Sequence, residues 1–383
     1  MYFDNAATTR ILAEASECIN DINNKIYGNS SSMHIMGLEA EKVIDNSRRI
    51  IAITLGSTAD EVYFTSGGTE SNNTAIFGYL KANLRNGNHI ITTEIEHPSV
   101  YETFEFLKSQ GYRVDYVPVN TNGECDIEFI QENICDDTTL ISIMHTNNEV
   151  GAIQDVKRIS ELVKSKKASI AMHVDFIQGY CKIPLQVKTA GIDLLSVSGH
   201  KIHGPKGIGA LYVKKSLKVS PIMYGGGQEN GLRSGTENTS SIAGFGVAAN
   251  IMFSDIDANY KKVKDLNRYF RSQIDRIGFE NKILSPDEGS PYILNIAFKN
   301  VKAEVLLHHL EQCNIYVSSG SACFSKKRKQ SRILTAIGIP KEIADGAVRF
   351  SFSTENTLAE VDEAIIRLKE ILPVISYTTR RKR

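Results

Sequence analysis

The sequence predicts an α/β fold, with a large domain on a mostly parallel seven-stranded sheet covered by helices and a smaller α+β domain. Three observations carry this expectation. Strand-like and helix-like runs alternate through most of the chain, as they do when helices cross over a parallel sheet. Motifs rich in chemistry follow several apolar runs directly, where an open parallel sheet places its ligands. After residue 255 the pattern shifts to a long charged helix and then to shorter strands and helices.

Seven runs qualify as strands of the large sheet: 61–65, 89–93, 113–117, 140–145, 170–174, 193–197 and 209–213. Helical patterns lie between several of them, at 71–82 and, amphipathic, at 156–166. An apolar helix at 242–253 closes the large domain, and the charged helix at 259–277 opens the small one. The small domain continues with a strand at 292–298, a helix at 303–312, strands at 315–317 and 347–352, and a closing helix at 358–372. The expected division is 12–255 for the large domain and 1–11 with 256–383 for the small domain, which carries a cysteine-bearing loop at about 318–330.

The chain's 383 residues include 44 basic and 44 acidic ones, a balance that argues against a dedicated nucleic-acid binder. Basic residues nevertheless cluster at 326–329 and 380–383. None of the six cysteines forms a Cys-x-x-Cys pair, so no metal site is expected. Tyr2-Phe3 begins a strand-like run in place of a secretory leader, and no apolar run is long enough to cross a membrane. A reducing cytoplasm with free thiols is the expected setting.

Ser198-Gly-His-Lys201 lies about two dozen residues beyond Asp175-Phe-Ile-Gln178, with a second apolar strand between them. A lysine that binds a carbonyl cofactor needs phosphate ligands nearby and a carboxylate facing the pyridine nitrogen. Both motifs follow strands and can reach one crevice, which reads as the floor of a pyridoxal phosphate site. Thr65-Ser-Gly-Gly-Thr-Glu70 joins a strand to a helix. Its glycines permit a tight turn, and the helix N-terminus that follows suits a phosphate or is an ordinary cap. His97, before Pro98, can stack on a ring and shuttle protons, or simply make a turn. Asn147-Asn148 can offer an amide to the ring oxygen, or is an ordinary loop pair. Ser318-Ser-Gly-Ser-Ala-Cys323 suits an exposed loop, and the cations after it favour the Cys323 thiolate, which is either a reactive group or a surface cysteine with no role. Arg349, inside an apolar run, is either a fork for a substrate carboxylate or half of a structural ion pair.

With these motifs in this order, the chain resembles the cysteine desulfurases, pyridoxal phosphate enzymes of the aminotransferase class V group and fold type I. The likeness runs nearly end to end, through Asp4-Asn-Ala-Ala-Thr-Thr9, Tyr27-Gly-Asn-Ser-Ser-Ser32, Gly225-Gly-Gly-Gln-Glu229 and Arg233-Ser-Gly-Thr236 besides the segments above. The cysteine segment is similar to that of the nitrogen-fixation and iron-sulfur branch.

The resemblance implies that Lys201 carries the cofactor covalently and that Asp175 faces its ring nitrogen. Gln178 and Asn148 would bind the ring oxygen, and His97 would stack on the ring. Gly68, Thr69, Ser198 and His200 would hold the phosphate, with Thr236 arriving from the partner of a homodimer. Asn29 and Arg349 would bind the carboxylate of L-cysteine. Cys323 would take the sulfur as a persulfide and pass it to a protein acceptor for iron-sulfur assembly or tRNA thiolation.

Ser30 and Gly68 depart from the family's usual proline and alanine, and the basic run 326–329 replaces a more neutral stretch. The acceptor is therefore the least determined part. A selenocysteine lyase or another β-eliminating lyase is the alternative reading. A non-catalytic sulfur-carrier scaffold or RNA-associated protein rests on the basic runs alone.

Overall fold

The computed structural model describes residues 1–319 and 331–377. Its large sheet contains β1 (Val62–Thr65), β2 (His89–Thr93), β3 (Arg113–Val117), β4 (Thr138–Met144), β5 (Ala171–Asp175), β6 (Leu194–Ser198) and β7 (Gly209–Val213). The order is β1-β7-β6-β5-β4-β2-β3, with β7 antiparallel to both neighbours and the remaining pairs parallel. β2, β3 and β7 lie at the residues the sequence predicts. The other four shift by one or two residues at their ends.

Side-chain alternation explains why the sheet is covered on both faces. Ile90, Leu140, Ala171, Leu194 and Leu211 join one core with the helices Gly68–Ala82 and Pro98–Ser109. Their chain neighbours Ile91, Ile141, Met172, Leu195 and Tyr212 point the other way, into a core with the helices Ile35–Leu55, Val156–Lys166 and Thr239–Ser254. Central strands buried on both sides read as continuous apolar runs. Edge strand β3 is the exception, keeping the polar Arg113 and Asp115.

A second sheet, antiparallel throughout, has the order β10-β11-β9-β8, from β8 (Asn281–Ile283), β9 (Ile293–Phe298), β10 (Ser318–Ser319) and β11 (Ala347–Ser351). The helices Ile256–Asp275, Ala303–Gln312 and Leu358–Ile375 pack on it through residues such as Phe270, Leu306 and Leu368. The N-terminus joins this core. The Phe3 ring meets Phe270 and Phe352 with centroids 6.1 and 5.8 Å apart.

One local expectation changes. Residues 315–317 are not a strand of the sheet; Tyr316 instead pairs its main chain with the N-terminus, through Phe3 N–H to Tyr316 O at 2.9 Å, and β10 follows. From Phe3 the chain runs along the carboxyl edge of the large sheet, where the Thr9 amide bonds to His200 O at 2.9 Å. Residues 4–9 therefore bridge the two sheets above the strand ends that carry the predicted chemistry.

Candidate active site

β1 leads into a turn at Gly67 and then into the helix Gly68–Ala82. Gly67 has φ of +149°, which disfavours any side chain, and a Cβ on Gly209 of β7 would sit 2.8 Å from the Gly67 Cα. This close approach brings the helix N-terminus beside Ser198, the last residue of β6. Gly68, Thr69, Ser198 and His200 line a cavity of about 380 Å³ together with Thr8 and Lys206. Helix N-terminal amides, hydroxyls and a lysine make a cup for an anion such as phosphate.

Beyond Ser198 a single 3₁₀ turn, Gly199–Lys201, delivers the lysine. Its Nζ donates to Ala6 O at 2.5 Å and to Ala7 O at 2.8 Å. Gln178 Nε2 donates to the same Ala6 carbonyl at 2.9 Å, so the N-terminal segment ties both residues to one place. Asp175 ends β5 and is buried. Its carboxylate accepts from Asn72 Nδ2 at 2.8 Å and from the Ile177 amide at 3.1 Å.

Asn72 also donates to Ser99 Oγ at 2.8 Å, and that hydroxyl lies 2.8 Å from His97 Nδ1. The Ser99 amide donates to the same nitrogen at 3.1 Å. His97 Nδ1 is thus an acceptor, which assigns the proton of the neutral ring to Nε2.

Burial dominates the electrostatics. It holds His97 below the ordinary imidazole value, with Asp175 opposing and Lys201 and Arg332 assisting. It raises the Asp175 carboxyl against the pull of His97 and the hydrogen bonds from Ile177 and Asn72. His200 is pushed down to about 4 by burial and then by Lys201, Lys182 and Lys206, so it stays neutral at physiological pH. Lys182 is buried, with its Nζ 5.4 Å from the centre of the Tyr292 ring. Burial and then Lys201 push its amine down to about 7.

Glu96, also buried, accepts from Thr93 Oγ1 and the Met144 amide at 2.7 Å each, yet burial raises its carboxyl to about 8. A carboxyl whose folded value lies above its unfolded value favours folding most at low pH, and that contribution is lost as pH rises. For Glu96 the loss runs from about 4.5 to about 8, at up to about 1.4 kcal/mol per pH unit. Glu96→Gln is expected to remove this slope, so the variant gains on the wild type in thermal melts between about pH 5.5 and about pH 7.5. A constant difference across that range would mean that Glu96 is ionised throughout.

Arg349 is buried on β11. Its Nη1 donates to Asn148 O at 2.7 Å and its Nη2 to Asp4 Oδ1 at 2.8 Å, while Nε has no partner among the described residues. The ion-pair alternative is therefore realised in this structure, with one donor left over.

The fold thus brings together Lys201, Asp175, Gln178, His97, Asn148, Arg349 and the cup of Gly68, Thr69, Ser198 and His200. Asn29 and Thr236 are exposed, and among the described residues neither bonds to a member of that cup. They lie in neighbouring segments, since Ser30 Oγ donates to Glu237 Oε2 at 2.7 Å. Cys323 and the basic runs 326–329 and 380–383 fall outside the described residues.

Sequence reasoning missed Asp4, the Ala6 and Ala7 carbonyls, Asn72, Ser99 and Lys182. The Asp4–Thr9 motif was visible, but nothing local in it indicates where it packs.

The Asn148 Oδ1, Gln178 Oε1 and Ser198 Oγ atoms are buried without a hydrogen-bond partner among the described residues. Orphaned polar atoms around a lysine, a carboxylate and an anion cup fit a polar ligand that spans them. The family model for aminotransferase class V matches residues 1–364. The chain belongs to the aminotransferase class V family.

Within that family it is 43% identical over 378 residues to a protein from Lactobacillus delbrueckii subsp. bulgaricus named NifS/IcsS protein homolog, covering 97% of both chains. It is 38% identical over 373 residues to the cysteine desulfurase IscS of Dictyoglomus turgidum, covering 97% of this chain and 94% of that protein. A solved NifS-like protein matches with a TM-score of 0.93 at 37% identity, covering 98% of this chain and 99% of that one. SspA, solved in complex with cysteine, matches at a TM-score of 0.82 and 34% identity, covering 93% and 99%. The fold is that of the fold-type I enzymes, and pyridoxal phosphate is the cofactor of these class V proteins. The residues present fit it.

Proposed function

We propose that this pyridoxal phosphate-dependent cysteine desulfurase converts L-cysteine to L-alanine with Lys201, His97 and Cys323 as its catalytic residues, Cys323 accepting the sulfur. The convergence of Lys201, buried Asp175 and the Gly68–Thr69, Ser198 and His200 cup on one sheet edge carries this reading. When bound, pyridoxal phosphate supplies an electron sink that acidifies the substrate Cα–H and weakens the Cβ–S bond.

The chain's own residues do the rest. Lys201 would anchor the cofactor, and its Nζ would take and return the Cα proton of the substrate. Asp175, held by Asn72 and Ile177, faces the ring nitrogen. Gln178 and Asn148 orient the ring oxygen. Ser99 fixes the His97 tautomer, so that His97 would stack on the cofactor ring with a proton on Nε2. Arg349, whose Nε has no partner among the described residues, would meet the substrate carboxylate together with Asn29. The Cys323 thiolate would bond to the substrate sulfur as the Cβ–S bond breaks with its electron pair staying on Cβ, which takes up a proton; Cys323 is left as a persulfide and alanine departs.

The wider assignment includes two domains, 12–255 and 1–11 with 256–383. Separate cores around the two sheets support it, as does the junction of two helices at Asp255. A homodimer would bring the partner's Thr236 to the phosphate. Its support is the exposed apolar run through Tyr27, Met33, Ile35 and Leu38, tied to the segment of Thr236 through Ser30 and Glu237. Sedimentation of Met33→Asp/Ile35→Asp is expected to give monomers with reduced cofactor content. Monomeric wild type that retains full cofactor would discard the partner's Thr236.

A protein acceptor takes the sulfur onward for iron-sulfur assembly, and tRNA thiolation is a second outlet for the same persulfide. All five cysteines among the described residues are free thiols, which supports a cytoplasmic setting. No helix among the described residues is long and apolar enough to cross a membrane.

The reading is tested by the visible absorbance of the purified protein together with alanine and sulfide formed from L-cysteine and a reductant. A band that responds to cysteine, with equal alanine and sulfide, is expected. Protein that purifies without the band and cannot be loaded overturns the cofactor roles.

A further inference from the structure

The opposite edge of the large sheet holds a second cluster of reactive side chains. His89, Arg113 and Thr138 are the first residues of β2, β3 and β4, and they pair across the sheet. Cys135 lies in the turn between the helix Ile127–Asn133 and β4, and it is partly exposed. Its Sγ is 3.6 Å from His89 Nδ1, accepts from Arg113 Nη2 at 3.3 Å and lies 3.6 Å from Thr138 Oγ1. On the far side of the imidazole, His89 Nε2 lies 2.8 Å from Asp115 Oδ2. A carboxylate only accepts, so Nε2 carries the proton; the Nδ1 lone pair faces the Thr138 hydroxyl, 2.7 Å away, with Sγ on the same side at 3.6 Å. Thiol, imidazole and carboxylate thus stand in the order of nucleophile, base and orienting group.

We propose that Cys135 is a second reactive thiol of this chain, a modification site at which small disulfides are attacked and leave a mixed disulfide on the protein. This goes beyond the desulfurase reaction and uses none of its residues. The Cys135 proton passes to the Thr138 hydroxyl as that hydroxyl gives its own proton to His89 Nδ1, and the imidazolium is held by Asp115. Sγ attacks one sulfur of the disulfide, the old S–S bond breaks, and a new one forms to Cys135. The departing thiolate keeps the electron pair and takes the proton back from His89. The protein thiol is oxidised and the disulfide is reduced to one free thiol.

The electrostatics support this geometry. Burial pushes the thiol up, but hydrogen bonds from Thr138 and the Asp137 amide, with Arg113, outweigh it and leave Cys135 below its ordinary value. Burial and Arg113 keep His89 below its ordinary value against Asp115 and Asp137, so it is a neutral base. Lys167, which donates to Thr138 O at 3.0 Å, adds a further cation at this edge. Cys18 provides a contrast within the same chain, since burial and then Asp21 raise its thiol.

The test is a timed pulse of iodoacetamide on the cofactor-loaded full chain across a pH series, read by peptide mass mapping, with a parallel incubation in glutathione disulfide. Cys135 is expected to label about tenfold faster than Cys18 near neutral pH, for each unit of difference between the two thiols. It is also expected to take up the glutathione adduct before Cys18, Cys125, Cys181 or Cys313. Arg113→Gln, a substitution at a half-exposed side chain, should move the Cys135 profile to higher pH and slow adduct formation. Cys135→Ser should lose the adduct and keep desulfurase turnover. Labelling of Cys135 no faster than Cys18, or an Arg113→Gln profile identical to wild type, overturns the proposal.

Discussion

Lys201→Ala is expected to abolish alanine and sulfide formation from L-cysteine, by about 10,000-fold or more. The size of the effect follows from the two functions proposed for one atom, Nζ, as anchor of the cofactor and as carrier of the Cα proton. The carbonyls of Ala6 and Ala7 point that nitrogen at the strand edge, and Asp175 and the anion cup surround it.

Lys182 is a buried amine close enough to Lys201 to feel its charge, but it packs on the Tyr292 ring. Removing Lys201 takes away a neighbouring cation, so the variant should fold and melt near the wild-type temperature. The assay pairs turnover with the visible band. A folded Lys201→Ala variant that keeps turnover within about tenfold of wild type would remove Lys201 from the chemistry.

Cys323→Ala is expected to reduce sulfide formation by at least about 100-fold while leaving the cofactor band and Cα proton exchange intact. These readouts separate because the proposed mechanism gives the proton to Lys201 and only the sulfur to Cys323. Cys323 lies outside the described residues, but both ends of its segment are placed beside the site. Ser318 pairs in register with Arg349. Ser331 Oγ donates to Glu149 Oε2 at 2.6 Å, and the Arg332 guanidinium sits 3.7 Å over the Tyr101 ring. Arg332 also donates to the carbonyl of Glu96, the residue before His97. Deuterium uptake at Cα in heavy water, with sulfide absent, is the expected signature. Undiminished sulfide from Cys323→Ala would replace the desulfurase mechanism by a β-eliminating lyase.

Much of this protein is determined locally and was legible in the sequence. Apolar runs such as Leu140–Met144 and Leu194–Val197 define buried strands, because alternate side chains must find a core on both faces. A parallel sheet then presents whatever follows its strands at one edge, which made Asp175, Ser198 and Lys201 readable as one site. Only the tertiary structure decided what completes that site. Asp4 reaches Arg349, Ala6 receives Lys201, and Asn72 joins Asp175 to Ser99 and His97, across separations that leave no periodic trace. The burial that makes Lys182 a weak base, and the meeting of Cys135 with His89 and Asp115, arise in the same way. Strand and helix periods are properties of neighbouring residues, whereas desolvation and long-range hydrogen bonds exist only after distant segments have packed together.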